Sequence, residues 1–468
     1  MMPLYLEAIE WLFFGYFTAV YACYAVLNVF AVLQIRGYLQ VAELAAAESV
    51  FSSLDLPISV IIPAYNESAS IITSVRAMLQ VEYPDYEVIV VNDGSKDDTL
   101  DKLIREFGLR QFPEAYRKRV RCRRVRCVYR SARYPMLRVI DKENGGSKAD
   151  ALNAGINACR YPIFCAVDAD SILQPDSLRR AVRPFLEQPG TIATGGTVRI
   201  ANGCEVLGGF LERVGLPRSF LARIQVVEYL RAFLYGRMGW TKMNAVLIIS
   251  GAFGVFDKES VVAVGGYDPA AIGEDMELVL RLHKHFCRSG TPYHITFVPD
   301  PICWTDAPED LATLRKQRIR WQHGLGQSLA LHKDLLFDRR SWPVGWLAMP
   351  FFLVFELFGP IVEIAGYLFM IFAALNGWLT WTTAGVFFGL AIGLGVMLSM
   401  SALVLEEMSF HVYPKLRDLL LLFGVAVLEN LGYRQVTLVW RIRGLVGWLR
   451  GQMPEWGEMK RSASLSER

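Results

Sequence analysis

The sequence predicts an α/β domain with a largely parallel sheet, inserted between α-helical transmembrane segments. Three observations carry that expectation. The 468 residues are 53% hydrophobic and 12% aromatic, with a mean hydropathy of +0.27, which is too apolar for an average soluble protein. Apolar character gathers at both ends, near 11–34 and from 346 to about 439. Between them, from Leu56 to about Pro301, short apolar runs such as ISVIIPAY, YEVIVVNDGS and PIFCAVDAD end in polar turns and alternate with helical patterns. That rhythm argues for a sheet that holds its ligand at the carboxyl ends of the strands.

Taken in order, Trp11 to Gln34 carries no charge, is about as long as the ~20 residues that cross a bilayer, and is followed by Arg36. The preceding residues are acidic, unlike the basic start of a cleaved signal, so residues 1–35 read as a retained anchor. The α/β domain is expected over 57–301 and interfacial amphipathic helices over 302–343. A C-terminal transmembrane region over 344–445 and a basic cytosolic tail over 446–468 complete the chain. Apolar segments fall near 346–375, 380–404 and 418–439; the first is one kinked helix or a tight hairpin around Gly359 and Pro360. The basic tail favours the hairpin, because it asks for an even number of crossings after the α/β domain.

The net charge of +3 conceals basic clusters at Arg117–Arg138, Arg315–Arg320 and Arg441–Arg468, which are either solvated surface or contacts to phosphate and anionic lipid. The eight cysteines show no CxxC spacing, so neither a zinc site nor a disulfide framework is expected.

The polar motifs lie at strand and helix ends. Pro63, Tyr65, Asn66 and Glu67 follow one strand, and Asn92, Asp93 and Gly94 follow the next. They are placed to hold a nucleotide base and ribose, or Asn66 and Asp93 merely cap helices. Asn144-Gly145-Gly146-Ser147-Lys148 opens a helix with a cation at its mouth, which suits a diphosphate, without P-loop spacing. Asp168-Ala169-Asp170 sets two carboxylates at a strand end, as a hard divalent cation bridging a diphosphate requires; a surface turn is the alternative. Gly273-Glu274-Asp275 starts a helix, where an acid serves either as a dipole partner or as the general base for an acceptor hydroxyl. Gln317-Arg318-Ile319-Arg320-Trp321 lies on a helix starting near Glu309. There Arg320 suits a pyrophosphate and Trp321 a sugar ring, unless the stretch is only an amphipathic helix with snorkelling arginines.

In this order the motifs closely resemble the membrane-embedded, inverting family 2 glycosyltransferases that include cellulose, hyaluronan, chitin-oligosaccharide and poly-N-acetylglucosamine synthases, over roughly 57–445. The resemblance implies a GT-A glycosyltransferase domain and a UDP-sugar donor. It implies a nucleotide site of Pro63, Tyr65, Glu67, Asp93, Lys148, Asp168, Gln317, Arg320 and Trp321, with Asp170 and Asp168 on Mg²⁺ or Mn²⁺. Asp275 takes the position of the catalytic base, and Ser250, Gly251 and Trp321 that of the acceptor site. QRIRW is similar to the signature of processive members, so the resemblance implies a growing polysaccharide acceptor in a multi-pass inner-membrane enzyme, with a lipid-linked single transfer as the alternative. The sequence departs from the family's frequent Thr-Glu-Asp at Gly273, and a single helix precedes the domain where several relatives have two. That leaves a channel to fewer helices or an accessory membrane subunit. No nucleic-acid partner is expected. Glu356, Glu363, Glu406, Glu407 and Glu429 fall in or beside apolar segments, where acids are costly; they line a polar export path or tie helices together.

Overall fold

The computed structural model describes residues 4–47 and 55–452; residues 453–468 of the basic tail lie outside them. The strands are β1 (Ile58–Ala64), β2 (Tyr86–Asn92), β3 (Leu109–Gln111), β4 (Val125–Ser131), β5 (Leu137–Lys142), β6 (Ile163–Val167), β7 (Ile172–Leu173), β8 (Thr191–Ile200), β9 (Glu205–Leu207), β10 (Phe210–Arg213), β11 (Phe253–Asp257) and β12 (His294–Thr305). Ten form one sheet in the order β3-β4-β5-β2-β1-β6-β11-β8-β12-β7, and β9 pairs with β10.

The sheet is mixed, which corrects the largely parallel expectation. β5, β2, β1 and β6 run parallel, as their helical connections require. β4 joins β5 antiparallel, and β11 lies antiparallel between β6 and β8. The run Val246–Val255 looks like one apolar segment, but only its end pairs, and the chain reverses through Ser250–Ala252. The central strands are apolar without alternation because both faces are covered: β1 is buried at six of its seven positions.

The helices are α1 (Leu4–Ala47), α2 (Ile71–Met78), α3 (Thr99–Phe107), α4 (Lys148–Ala158), α5 (Ser177–Glu187), α6 (Phe220–Leu230), α7 (Met238–Thr241), α8 (Lys258–Ala263), α9 (Glu274–Ser289), α10 (Leu311–Leu331), α11 (Met349–Phe351), α12 (Gly359–Leu375), α13 (Trp381–Phe388), α14 (Leu394–Ser409), α15 (Leu416–Leu428) and α16 (Arg434–Leu449). Asp310 caps α10 by accepting from the Thr313 N–H at 2.8 Å, close to the expected start.

Among the described residues, three helical stretches are long and apolar enough to cross a membrane: Glu7–Val41, Trp381–Ser409 and Leu416–Leu449, with a fourth if the bent pair Val344–Leu357 and Gly359–Leu375 is one span. The N-terminal helix runs past the expected end of the anchor, and its Ala31 and Ile35 are buried in the core of the α/β domain. At Gly359 and Pro360 the axis turns by 42°, which is the kinked helix of the two expected forms and not the hairpin that the basic tail favoured. The sharper interruption lies at Leu431 and Gly432, whose backbone leaves the helical region.

The five acids noted in the apolar segments have partners. Glu406 pairs with Arg199 of β8, and Glu429 lies 2.6 Å from Arg231, just after α6. Glu363 pairs with Arg434, Glu356 lies 3.1 Å from Arg441 and Glu407 3.1 Å from His411. Of the two readings, ties between elements match four of these contacts, the Glu407–His411 pair being local to the end of α14.

Candidate active site

Register assembles the site. Phe253 of β11 pairs with Val167 of β6, so the residues just beyond meet: the Asp168 N–H donates to the Ala252 carbonyl at 3.4 Å. Two sequence motifs far apart in the chain thus share one corner at the carboxyl edge of the sheet. The start of α4 supplies Lys148, whose ammonium pairs with the Asp168 carboxylate and donates to the Gly251 carbonyl at 2.8 Å. The start of α9 supplies Asp275, which accepts from the Gly251 N–H at 3.2 Å. A methyl group on Gly251 would lie 3.1 Å from Lys148 Nζ, 3.7 Å from Glu274 Oε1 and 3.9 Å from Asp275 Oδ2. Lys148, Asp168, Gly251, Glu274 and Asp275 therefore form one cluster.

Its electrostatics are uneven. Burial works against the Lys148 ammonium, but the Asp168 and Glu274 carboxylates outweigh it and hold its pKa above that of ordinary lysine. Burial and then the Asp168 and Asp306 carboxylates push Asp170 up to about 7. Glu274 is likewise pushed up to about 7 by burial, assisted by Asp275 and opposed by Lys148 and Arg320. Both acids act on the Lys148 ammonium, and Asp275 also holds the Ser250–Phe253 loop through the Gly251 N–H.

The strand-end residues serve partly as scaffold. Asn66 adopts φ 56°, which asparagine tolerates; its N–H donates to Ser95 Oγ at 3.0 Å and its Oδ1 accepts from the Lys96 N–H at 2.8 Å. Tyr65 is exposed, and Glu67 accepts from Ser70 Oγ at 3.1 Å. Asp93 is buried and accepts from the Gly145 N–H at 3.0 Å, while Asn144 Nδ2 donates to its carbonyl at 2.8 Å. Lys142, fully buried, pairs with Asp93 and lies 2.6 Å from Asp150. Burial raises the Asp93 pKa, and the Lys142 cation and the Gly145 N–H oppose the rise. Gly145 has no room for a side chain, since a Cβ would fall 2.3 Å from Asp150 Oδ2.

Lys142 was absent from the sequence expectations, and Asp150 entered them only as part of the Gly-rich turn that opens α4. Only the fold shows that Lys142 ends a strand whose every position is buried, where a cation demands acids beside it.

On α10, Arg318 lies over the Trp321 ring at 4.6 Å and pairs with Glu228 of α6; Trp321 remains 43% exposed, available for stacking. Gln317 Oε1 is buried without a partner among the described residues. Gly324 meets the start of α9, where a Cβ would lie 3.0 Å from the Gly273 nitrogen.

Residues 56–324 match the family described as Glycosyltransferase like family 2. The poly-beta-1,6-N-acetyl-D-glucosamine synthase of Staphylococcus epidermidis is 28% identical over 286 residues, 61% of this chain and 57% of that protein. That of Staphylococcus aureus (strain COL) is 29% identical over 267 residues, 57% of this chain and 54% of that protein. The aligned region spans little more than half the length of these relatives. Among solved structures, a mannosyltransferase from Pyrobaculum calidifontis in complex with GDP-Man and Mn²⁺ superposes with a TM-score of 0.49 at 17% identity, covering 91% of this chain and 100% of that one. The mixed sheet flanked by helices is the GT-A-like domain that the motifs led us to expect. With more than half of its length matched, the chain belongs to the family 2 glycosyltransferases.

Proposed function

We propose that this chain is a processive, inverting transferase that moves a sugar from a UDP-sugar onto a growing β-linked polysaccharide and exports the product through the membrane holding its apolar helices. The observation that carries the reading is the single cluster of Lys148, Asp168, Gly251, Glu274 and Asp275, drawn from four separate segments to one edge of the sheet. The names of the Staphylococcus relatives support a polymer product.

In this reading Lys148 and Arg320 take the diphosphate, and Pro63, Tyr65, Glu67 and Asp93 border the base and ribose. Gln317 closes the nucleotide side. Ser250, Gly251 and Trp321 receive the acceptor's terminal sugar. Asp275 is assigned as the base because it accepts from the Gly251 N–H of the acceptor loop. It takes the acceptor hydroxyl's proton as that oxygen displaces the diphosphate in one step, which inverts an α-linked donor to a β-glycoside.

Asp168 and Asp170 fit Mg²⁺ or Mn²⁺: hard oxygen donors crowd there, and burial first, then the neighbouring Asp168 and Asp306 carboxylates, raise the Asp170 pKa, a cost to its charged form that a divalent cation would offset. No group of three or more protein ligands is assembled among the described residues, so these carboxylates would supply only part of the shell and the diphosphate and water the rest. When bound, the ion would neutralise charge on the leaving group.

The domain plan is a membrane anchor, a cytosolic transferase domain over 57–301, interfacial helices over 302–343 and a C-terminal membrane region over 344–445, with the channel formed by few helices or completed by an accessory subunit. Purified protein in detergent, given radiolabelled UDP-sugars with Mg²⁺ or Mn²⁺, should make a long polymer from one donor. A product of one sugar on a lipid would refute processivity. Asp275→Asn should cut transfer roughly 10²–10⁴-fold and leave UDP affinity unchanged; weakened UDP binding would remove Asp275 from the base's role.

A further inference from the structure

The amino edge of the sheet carries a second concavity, away from the transferase cluster. β8 runs antiparallel to β11, which runs antiparallel to β6, so β8 and its parallel neighbour β12 begin at the end of the sheet opposite Asp168. There a cavity of about 200 Å³ is lined by Gln34 of α1, Gln188, Lys242, Asn244, His294 and Thr296. No carboxylate lines it, and Glu187, next to the lining Gln188 in the chain, is paired with Arg183.

Its donors are uncommitted. Asn244 is consumed in holding the backbone, donating to the Tyr293 carbonyl and accepting from the Ile295 N–H. The Lys242 ammonium, the His294 ring, the Thr296 hydroxyl and the amides of Gln34 and Gln188 have no side-chain partner among the described residues. A polar cavity with a lysine, several neutral donors and no acid is built for an anion.

Depth narrows the anion's source. On its outer face α1 stays apolar through Val26, Val29 and Leu33, each more than half exposed, and turns polar at Arg36 and Gln40. On the inner face Leu27, Ala31 and Ile35 are buried against the α/β domain. With α1 read as a span, the change at Arg36 marks the edge of the hydrocarbon, and Gln34 brings the cavity to the headgroup layer, where phosphates are concentrated. We propose that this cavity binds a phosphate ester, with the headgroup of an anionic phospholipid as its source.

The test uses the full chain in detergent without a sugar donor, so its outcome is independent of the transferase reading. A short-chain phosphatidylglycerol and, separately, glycerol phosphate are titrated while the thermal unfolding midpoint is followed. Saturable stabilisation by the lipid is expected, roughly tenfold weaker in Lys242→Gln and retained in Lys242→Arg. Lys242 is exposed, and an unchanged midpoint without ligand verifies that the variant folds. Equal affinity for glycerol phosphate would keep the site and assign it a soluble phosphate. Absence of saturable binding by either probe, or wild-type affinity in Lys242→Gln, would overturn the proposal.

Discussion

Lys142 shows how much of the site rests on a residue with no place in the chemistry. It neutralises Asp93 and Asp150 from a fully buried position, and Asp93 in turn holds the Gly145 N–H at the mouth of α4. Removing one partner of a buried ionic group is costly because the remaining charges cannot regain water, about 3–5 kcal/mol. Lys142→Met should therefore lower the thermal unfolding midpoint in detergent markedly and weaken nucleotide binding as the turn loosens. A variant with the wild-type midpoint would mean that Asp93 and Asp150 share a proton instead. Lys148, Asp168 and Asp275 could be found in the sequence because each follows a strand or opens a helix, where polar side chains stand out. Lys142 could not, since its partners lie 49 residues upstream and within the next helix, and only the fold brings all three together.

At the scale of elements, α10 and α9 approach through Gly324 and Gly273. Their backbones come so close that a Cβ on Gly324 would press on the Gly273 nitrogen at 3.0 Å and its Cα at 3.2 Å. This gives the departure from Thr-Glu-Asp at Gly273 a structural setting, since the start of α9 that carries Glu274 and Asp275 is positioned by α10. Gly324→Ala should leave the protein folded but push the helices apart by a few tenths of an ångström. The expected result is a drop in transfer of roughly tenfold or more, since catalysis is sensitive to small misplacements, with the larger part in kcat. Wild-type kinetics would show that the contact is slack. The start of α10 was legible because an aspartate three residues before a threonine N–H is a cap. The antiparallel β4 and β11 were not, because the direction of a strand leaves no mark in its own residues and follows from how its connection returns.

For the whole molecule, the C-terminal stretch from Leu416 to Leu449 bears on topology. Leu422, Val425 and Ala426 of α15 belong to the core that includes the sheet. The Tyr433 hydroxyl reaches Glu228 at 3.1 Å, and Arg441 Nε donates to Gln322 Oε1 at 2.9 Å. A Cβ on Gly326 of α10 would lie 2.8 Å from the Trp448 ring. Start, middle and end of this stretch all touch the α/β domain or α10, and a stretch held there throughout would end on the side where it began. The C-terminus should share the compartment of the α/β domain, as the basic tail suggested, although the turn lies at Leu431–Gly432 and not at Gly359–Pro360. A C-terminal green fluorescent protein fusion should be bright and a C-terminal alkaline phosphatase fusion inactive; the reverse pattern would place the tail across the membrane. Composition disclosed the apolar segments, but it could not distinguish a stretch that crosses from one that lies against the domain.

Arg199 and Glu406 stand 207 residues apart in the chain yet neutralise each other in a place where neither could stay charged alone. Arg231 and Glu429 do the same, each pair having one member in the α/β domain and the other in the apolar helices. Removing one member of such a couple leaves the other charge buried and unpaired, at a cost of about 3–5 kcal/mol. Chimeras that graft the sugar-transferring half of one relative onto the membrane half of another should express only when both members of each couple come from the same parent or happen to match.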